Sequence, residues 1–570
     1  MWFWLLDCIR RCYFYLKVTV LCVAGSYCQT LSAETPPYLL LEPEVSAADD
    51  STANTEIKAN LDFHQQNGHL PQLGVPLVNN STLYDFYRAR GFRRLWDPLY
   101  RDHDPLQELL SYLQQVHWHG LLASDYHFQP LMERCQIPTQ ELVSECDLLQ
   151  SDAILTLSQH LQTGKVNPNL ILKDTEVTKP SINLPELLSR AASLLSLSDY
   201  FRELEPSSRE YIELKKYLEA LRVRKAPDWP PLNLQPSIKP EMTDGRLEAI
   251  TERLMFWGDL PADWSYLAPS PMVYEDDLIQ AVQHFQMRHG LEADGVLGKK
   301  TISALNVAPQ QRIEQLIVNL EQIRWHEQKS LSRVIRVNIA SFELLALENG
   351  EVSLRMPVIV GQLDRQTPIF EDKIQYLVLN PTWVVPWELA TKDKLPLIQE
   401  NPQYLLDNRF SVYLNDLKIE DPSQIDWIQV TRSRFPYRLV QEPGADNALG
   451  QVKFMFPNNY EVYLHDTPTK SLFKNDIRAF SSGCIRVQEP IELLWWILRS
   501  DGLSDIDIEN QLNKKHTNTV SLTSPVPIRL EYRTAYWGLD QTIQFRADIY
   551  QRDTKLYQAL QQPATRPFLR

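Results

Sequence analysis

The spacing of apolar residues changes at about residue 333. Upstream they recur three and four apart, as in Leu106, Leu109, Leu110 and Leu113 and again in Ile313, Leu316, Ile317, Leu320 and Ile323. Downstream Ile335, Val337 and Ile339 alternate with Arg336 and Asn338, and Val352, Leu354, Met356, Val358 and Val360 keep the same two-residue beat. A period near 3.6 suits one face of a helix and a period of 2 one face of a sheet. Helices followed by strands mean an α+β organisation or separate domains, not alternating βα units. Asn349-Gly350, between two alternating runs, predicts a two-residue hairpin. At 570 residues the chain is too long for one core and should divide into three or four domains.

The balance of 57 basic against 72 acidic residues leaves a net charge of −15, which excludes a general electrostatic grip on nucleic acid. Residues 1–33 differ from the rest. MWFWLLDCIRRCYFYLK carries Arg10, Arg11 and Lys17, and VTVLCVAGSYC adds a short apolar segment. This pattern predicts either a cleaved export signal or an uncleaved membrane anchor, the only expected contact with a membrane. Four of the seven cysteines lie in this leader, leaving Cys135, Cys146 and Cys484. Two readings of Cys135 and Cys146 stand open: a disulfide formed in an oxidising compartment, or two buried thiols.

Residues 34–75 are rich in Pro, Ser, Ala, Asp and Glu without apolar periodicity and are expected to form a disordered linker. A helical domain is expected over 76–245. Asp104-Pro105 starts one helix, Gly164 ends another that begins near Thr139, and Tyr211, Leu214, Leu218 and Leu221 share the face of a third. The proline-rich stretch 226–240 is a joint, and a small helical module follows over 246–310. Its segment EDDLIQAVQHFQMRHGLEADGVLGKKTISALNV resembles the family of small peptidoglycan-binding modules, with V-x-x-F-Q, H-G-L, D-G and T-x-x-A-L in order. A β-rich domain is expected over 311–510, with a helix-like and polar insertion at about 387–440 and a β extension over 511–570. An insertion beside a catalytic core can act as a lid or be a plain surface loop.

The chemistry concentrates in PGADNALGQVKFMFPNNYEVYLHDTPTKSLFKNDIRAFSSGCIRVQEP, residues 443–490. A strand bearing Val462 and Leu464 ends at His465, and Cys484 follows nineteen residues later, after Ser481-Ser482-Gly483. A thiol becomes a nucleophile when a neighbouring imidazole takes its proton. Gly483 permits close approach of backbone to a bound carbonyl, and the amides around Gly483 and Cys484 are candidates for an oxyanion hole. A buried structural cysteine is the ordinary alternative. A metal site lacks the further Cys or His needed for tetrahedral coordination.

The motifs NALG (447–450), KFMFPN (453–458), YLHDTP (463–468) and RAFSSGCIRV (478–487) together resemble the L,D-transpeptidase (YkuD-like) family. The likeness is greatest to its large periplasmic members with a helical scaffold domain, a peptidoglycan-binding module and an inserted lid. The resemblance implies that Cys484 attacks the carbonyl between the L-centre of diaminopimelate and the terminal D-alanine of a tetrapeptide stem, with His465 as base. It implies 3→3 cross-linking, or L,D-carboxypeptidase activity or protein attachment to the wall with the same chemistry. It also implies acylation by carbapenems, no metal or organic cofactor, and peptidoglycan stems as donor and acceptor. Cell-wall synthases are further partners that it leaves open. Many relatives have His-Gly before the cysteine where Ser482 and Gly483 stand here, so a second histidine beside the thiol is absent. Arg486, Tyr463 and Asn447 match motif positions and are expected to bind substrate, the alternatives being a loop brace, a packed ring and a turn residue. An inactive wall-binding scaffold is the competing reading from another class.

Overall fold

The helix Val143–Thr163 is buried along nearly its whole length although it carries Glu145, Asp147 and Asp152. A buried carboxylate is tolerated only when its oxygens are hydrogen-bonded, and backbone N–H groups of the surrounding loops answer all three. Gln72 and Leu73 donate to Glu145, Leu95 and Trp96 to Asp147, and Val78 and Asn79 to Asp152, each at 2.8 Å. The helix thus organises loops as well as an apolar core. Cys146 in its first turn is joined to Cys135 by a disulfide with a Cα–Cα distance of 5.5 Å, which decides between the two readings of that pair.

The computed structural model describes residues 50–96, 104–194, 196–224, 228–265, 272–326, 331–514 and 516–564. The chain divides into two units, 1–50 and 51–570. The expected leader over 1–33 and the start of the expected linker lie outside the described residues. Among the described residues no helix is long and apolar enough to cross a membrane. The later part of the expected linker is not disordered: Asp50–Asn67 is a helix that buries Ile57, Leu61 and His64 on one face. Its apolar positions are isolated among polar ones, and a histidine completes the stripe by accepting from the Leu77 N–H at 2.7 Å. That combination hid the period.

Asp104 caps the helix Pro105–Gln115, accepting from the Leu106 N–H at 2.9 Å. The helices Arg209–Val223 and Asp276–Arg288 carry the expected buried faces. Packing divides the molecule differently from the sequence blocks. One core gathers the helical residues up to Phe201 and Leu204. A larger one runs from Val166 and Tyr211 through the module of Leu278 and Phe285 into the β domain and on to Leu560. The helix Pro309–Arg324 is central to this second core, and both of its faces are covered, with Asn319, Glu321 and Arg324 fully buried.

The β domain is a sheet that closes on itself. The strand Ile369–Leu379 pairs with Val452–Met455, which pairs with Leu464–His465, then Ile485–Val487, Glu351–Gly361, Glu343–Glu348, Arg333–Asn338 and Asn518–Glu531. The last strand returns to Ile369–Leu379, Leu530 standing opposite Phe370. Asn349 and Gly350 both have positive φ in the tight hairpin between Glu343–Glu348 and Glu351–Gly361. Residues 511–570 carry strands and a closing helix. Asn518–Glu531 is integral to the closed sheet, a short hairpin pairs Ala535–Trp537 with Ile543–Phe545, and the helix Asp553–Leu560 follows. Long-range closure of this kind leaves no local signal in the sequence.

Between Leu379 and Val452 the chain builds a separate small domain. Short helical turns from Trp387 to Glu400 and at Tyr404–Asp407 cover a four-stranded antiparallel sheet in the order Trp383–Val384, Tyr437–Gln441, Phe410–Leu414, Leu417–Ile419. Its core, with Ile398, Leu405, Val412 and Trp427, is distinct from the two larger ones.

Candidate active site

Three barrel strands bring the chemistry to one face. Lys453 stands opposite His465, and His465 stands beside Arg486 in the parallel pair that follows. In the same register Tyr463 lies beside Cys484, and the Tyr463 carbonyl accepts from the Ile485 N–H at 3.1 Å. Residues paired across strands share a face, as do residues two apart on one strand. Lys453, Tyr463, His465, Cys484 and Arg486 therefore surround one point.

Cys484 is half-buried and is the free cysteine among the described residues. Its sulfur lies 3.8 Å from the Glu461 carbonyl. Burial pushes the thiol above its ordinary pKa, while hydrogen bonding from Tyr463 and the charges of Lys453 and Arg486 pull the other way. His465 is buried, and its Nδ1 lies 2.5 Å from the Asp466 carbonyl. A carbonyl only accepts, so Nδ1 carries the hydrogen and the lone pair belongs to Nε2. Burial first, then the charges of Arg486 and Lys453, lower this imidazole to a pKa of about 3. At neutral pH the resting site holds a neutral thiol and a neutral imidazole, not a thiolate–imidazolium pair.

The turn carrying Cys484 is fixed from behind. Gly483 has φ +115°, a conformation that side chains rarely adopt, although a Cβ there would meet nothing closer than the Gln366 carbonyl at 3.8 Å. Backbone shape, not space, requires glycine. Thr367 Oγ1 donates to the Gly483 carbonyl at 2.8 Å and accepts from the Gly361 N–H at 2.9 Å, and the Tyr550 hydroxyl donates to the Gly361 carbonyl. Ser481 Oγ donates to the Cys484 carbonyl at 2.5 Å and accepts from the Gly483 N–H at 3.2 Å. That Gly483 amide, expected to serve an oxyanion hole, is engaged by Ser481 here.

Ser482 is exposed, and its hydroxyl accepts from Arg365 Nη1 at 3.0 Å. The same guanidinium makes a two-pronged ion pair with Asp393 of the inserted domain, at 2.6 and 2.8 Å. Where relatives are expected to carry histidine, this chain ties the turn of Cys484 to its insertion. Arg486 is partly buried, and its Nε makes no hydrogen bond. Lys453 Nζ sits 3.8 Å from the centre of the Tyr463 ring. Among the described residues neither cation is paired with a carboxylate.

Asn447 is held within the fold. It is fully buried, and Nδ2 donates to the carbonyls of Pro381, Gln441 and Glu442 while Oδ1 accepts from the Leu449 N–H. The inserted domain departs after Pro381 and returns at Gln441, so Asn447 clamps the two connections together. Both hydrogens of Nδ2 and one lone pair of Oδ1 are thus engaged within the fold, which accords with the turn-residue alternative. Reading the sequence missed Lys453, Thr367 and Arg365. Lys453 alternates with apolar neighbours in VKFMF, the one clue to a charge on a barrel face; Thr367 and Arg365 lie in a loop whose partners are remote in sequence.

Comparison with known proteins agrees with the resemblance carried by the motifs. Residues 332–528 match the family described as the L,D-transpeptidase catalytic domain (YkuD), residues 245–305 that of a "Putative peptidoglycan binding domain", and residues 81–218 that of a scaffold domain. A "Putative L,D-transpeptidase" of Haemophilus influenzae is 36% identical over 222 residues, which are 39% of this chain and 45% of that protein. The alignment thus spans less than half the length of that curated relative. Among solved structures, an L,D-transpeptidase from Mycobacterium smegmatis aligns at 14% identity over 35% of this chain and 58% of its own, with a TM-score of 0.19. An L,D-transpeptidase (Yku) from Stackebrandtia nassauensis aligns at 12% identity over 51% and 94%, also at 0.19. The chain carries an L,D-transpeptidase catalytic domain, a peptidoglycan-binding domain and a scaffold domain.

Proposed function

We propose that the protein is an L,D-transpeptidase that forms 3→3 cross-links in peptidoglycan through a thioester on Cys484. The observation that carries this reading is the surrounding of the free thiol: a neutral imidazole with its Nε2 lone pair available, and two cations without carboxylate partners. Cys484 Sγ attacks the donor carbonyl, and His465 Nε2 takes the thiol proton as the C–S bond forms. The proton passes to the departing D-alanine amine when the C–N bond breaks. In the second half the side-chain amine of a neighbouring stem attacks the thioester, His465 takes its proton, and the thiol is restored. Because the resting pair is neutral, deprotonation accompanies attack rather than preceding it. Arg486 and Lys453 favour the thiolate and hold the carboxylate of the donor stem.

The inserted domain, tied to the nucleophile's turn through Asp393, Arg365 and Ser482, favours the amine over water as second nucleophile. The Cys135–Cys146 disulfide is in keeping with action outside the cytoplasm, and on this reading the compartment is the periplasm, with the N-terminal segment as signal or inner-membrane anchor. Incubation with disaccharide-tetrapeptide and mass analysis of the products tests the reading. A dimer that has lost one D-alanine supports transfer. Tripeptide alone makes the protein an L,D-carboxypeptidase, and unchanged substrate with folded protein removes the enzymatic reading.

A further inference from the structure

Residues 548–553 lie beyond residue 528, where the match to the L,D-transpeptidase catalytic domain ends, yet they pack against the loop that braces the turn of Cys484. Tyr550 is buried, and its hydroxyl accepts from the Thr367 N–H at 3.2 Å while donating to the Gly361 carbonyl. The loop between those two residues is tight: a Cβ at Gly361 would stand 2.7 Å from the Thr367 nitrogen. The same two residues meet again at Thr367 Oγ1, which accepts from the Gly361 N–H and donates to the Gly483 carbonyl. One phenol thus closes the loop from which Gly483 is held. Arg552 adds a second hold, donating from Nη2 to Gln366 Oε1 at 3.0 Å, and the Gln366 carbonyl is the atom that a Cβ at Gly483 would first meet.

Tyr550 is itself fixed. Its ring stacks on Tyr532, the centres 5.4 Å apart and the planes 13° from parallel. Its N–H donates to the Tyr532 hydroxyl at 2.8 Å, and that hydroxyl donates to Asp548 at 2.7 Å. The Arg552 guanidinium lies 5.4 Å from both ring centres. The helix Asp553–Leu560 that follows is anchored on the helical region, where Lys165 Nζ donates to the Leu560 carbonyl at 2.7 Å. A ring held by stacking and by a backbone hydrogen bond keeps its hydroxyl in one place, which is what a supporting group needs if it is to hold a reacting atom within about 0.5 Å.

We propose that Tyr550 is a positioning residue for acylation of Cys484: its hydroxyl sets the loop from Gly361 to Thr367 so that Thr367 holds the Gly483 carbonyl, and with it the direction of the sulfur. It acts through Thr367 and touches neither the thiol nor the substrate. The working catalytic unit of this chain therefore extends past the matched family domain to Tyr550. The hold on Gly483 stands on the geometry, whereas its service to acylation rests on the transpeptidase reading.

The test follows carbapenem acylation of Cys484 by intact mass against carbapenem concentration, per folded molecule, in the parent protein, Tyr550→Phe, Thr367→Val and the double variant. Hydrogen–deuterium exchange across residues 479–487 is measured on the same samples. Tyr87→Phe, which removes a buried hydroxyl bonded to Asp147 and Ser151 in the helical region, is the control for lost stability alone. Tyr550→Phe should show a maximal acylation rate about tenfold lower, the scale of one hydrogen bond, at an unchanged half-saturating concentration, with faster exchange across 479–487. Tyr87→Phe should show neither change. The double variant should lose about tenfold rather than about a hundredfold, because both substitutions cut one path. An unchanged maximal rate in Tyr550→Phe, a loss confined to the half-saturating concentration, or fully additive losses in the double variant would make Tyr550 an ordinary core tyrosine and overturn the proposal. If the parent protein is not acylated, the transpeptidase reading fails, and exchange alone decides the hold on Gly483, unaltered exchange in Tyr550→Phe refuting it. Should Tyr550→Phe not fold, Tyr532→Phe carries the test: it keeps the Tyr550 hydroxyl but removes the acceptor of its N–H, and its maximal rate should fall, the parent rate counting against the proposal.

Discussion

The helix Pro309–Arg324 and the strands carrying His465 and Cys484 both bury charged or titratable side chains, and they treat them in opposite ways. On the helix Glu321 and Arg324 are fully buried and 2.7 Å apart. Glu321 also accepts from the Val166 N–H and the Trp325 indole, and Arg324 donates to the His119 carbonyl and the Tyr211 hydroxyl. At the site neither Arg486 nor Lys453 has a carboxylate partner among the described residues, and Lys453 rests on an aromatic ring. Paired charge joins the scaffold to the barrel; in the proposed mechanism the unpaired charge answers a negative group that forms or arrives during reaction, a thiolate or a substrate carboxylate. Where the fold leaves a cation unanswered is therefore informative about chemistry.

Breaking the paired region should give the largest effect on folding. Glu321→Gln leaves Arg324 charged and buried, at a cost of about 3–5 kcal/mol, read as a lower denaturant midpoint with acylation per folded molecule unchanged. An unaltered midpoint would erase the contrast between the two regions. His465→Gln should do the reverse, lowering kcat/KM by about 10²- to 10⁴-fold with the fold kept. The same variant sharpens the electrostatic reading. Folded His465 titrates at about 3 against about 6.5 for an unfolded imidazole. As pH falls through that window the unfolded chain binds a proton that the folded chain refuses, so stability declines, and the variant should show a shallower decline.

Smaller effects separate position from charge. Thr367→Val removes the hydrogen bond to the Gly483 carbonyl and should cut acylation by about tenfold, through kcat, leaving the thiol's titration where it was. Lys453→Met removes a charge that favours thiolate. The alkylation-versus-pH curve of Cys484, already displaced upward by burial, should move further to alkaline pH, and a shift the other way would contradict the assignment. Least of all, Arg365→Ala should raise the ratio of tripeptide to dimer by about twofold, the scale of one exposed ion pair.

The two regions were not equally legible in the sequence. Helices with stop signals, such as Gly164 after Thr163, and the Asn349-Gly350 hairpin declare themselves within a few residues, because capping and turn chemistry are local. Cys484 and His465 stood out through residue types and motifs. Their surroundings did not: Lys453 reaches the site through the pairing of Val452–Met455 with Leu464–His465, and Thr367 through a loop 116 residues before Gly483. At Asn447 the sequence leaves two readings open, because a buried amide that clamps backbone carbonyls looks, in sequence, the same as one that contacts a ligand. The burial of both faces of Pro309–Arg324 was equally hidden, since its polar residues find partners on segments far away along the chain.

The most direct test of the central claim is intact-protein mass spectrometry of the soluble chain after incubation with disaccharide-tetrapeptide or a carbapenem, beside Cys484→Ala. The account predicts one covalent adduct per molecule of the parent protein and none on the variant. An adduct that persists on Cys484→Ala, or no adduct on folded parent protein with either reagent, would contradict it.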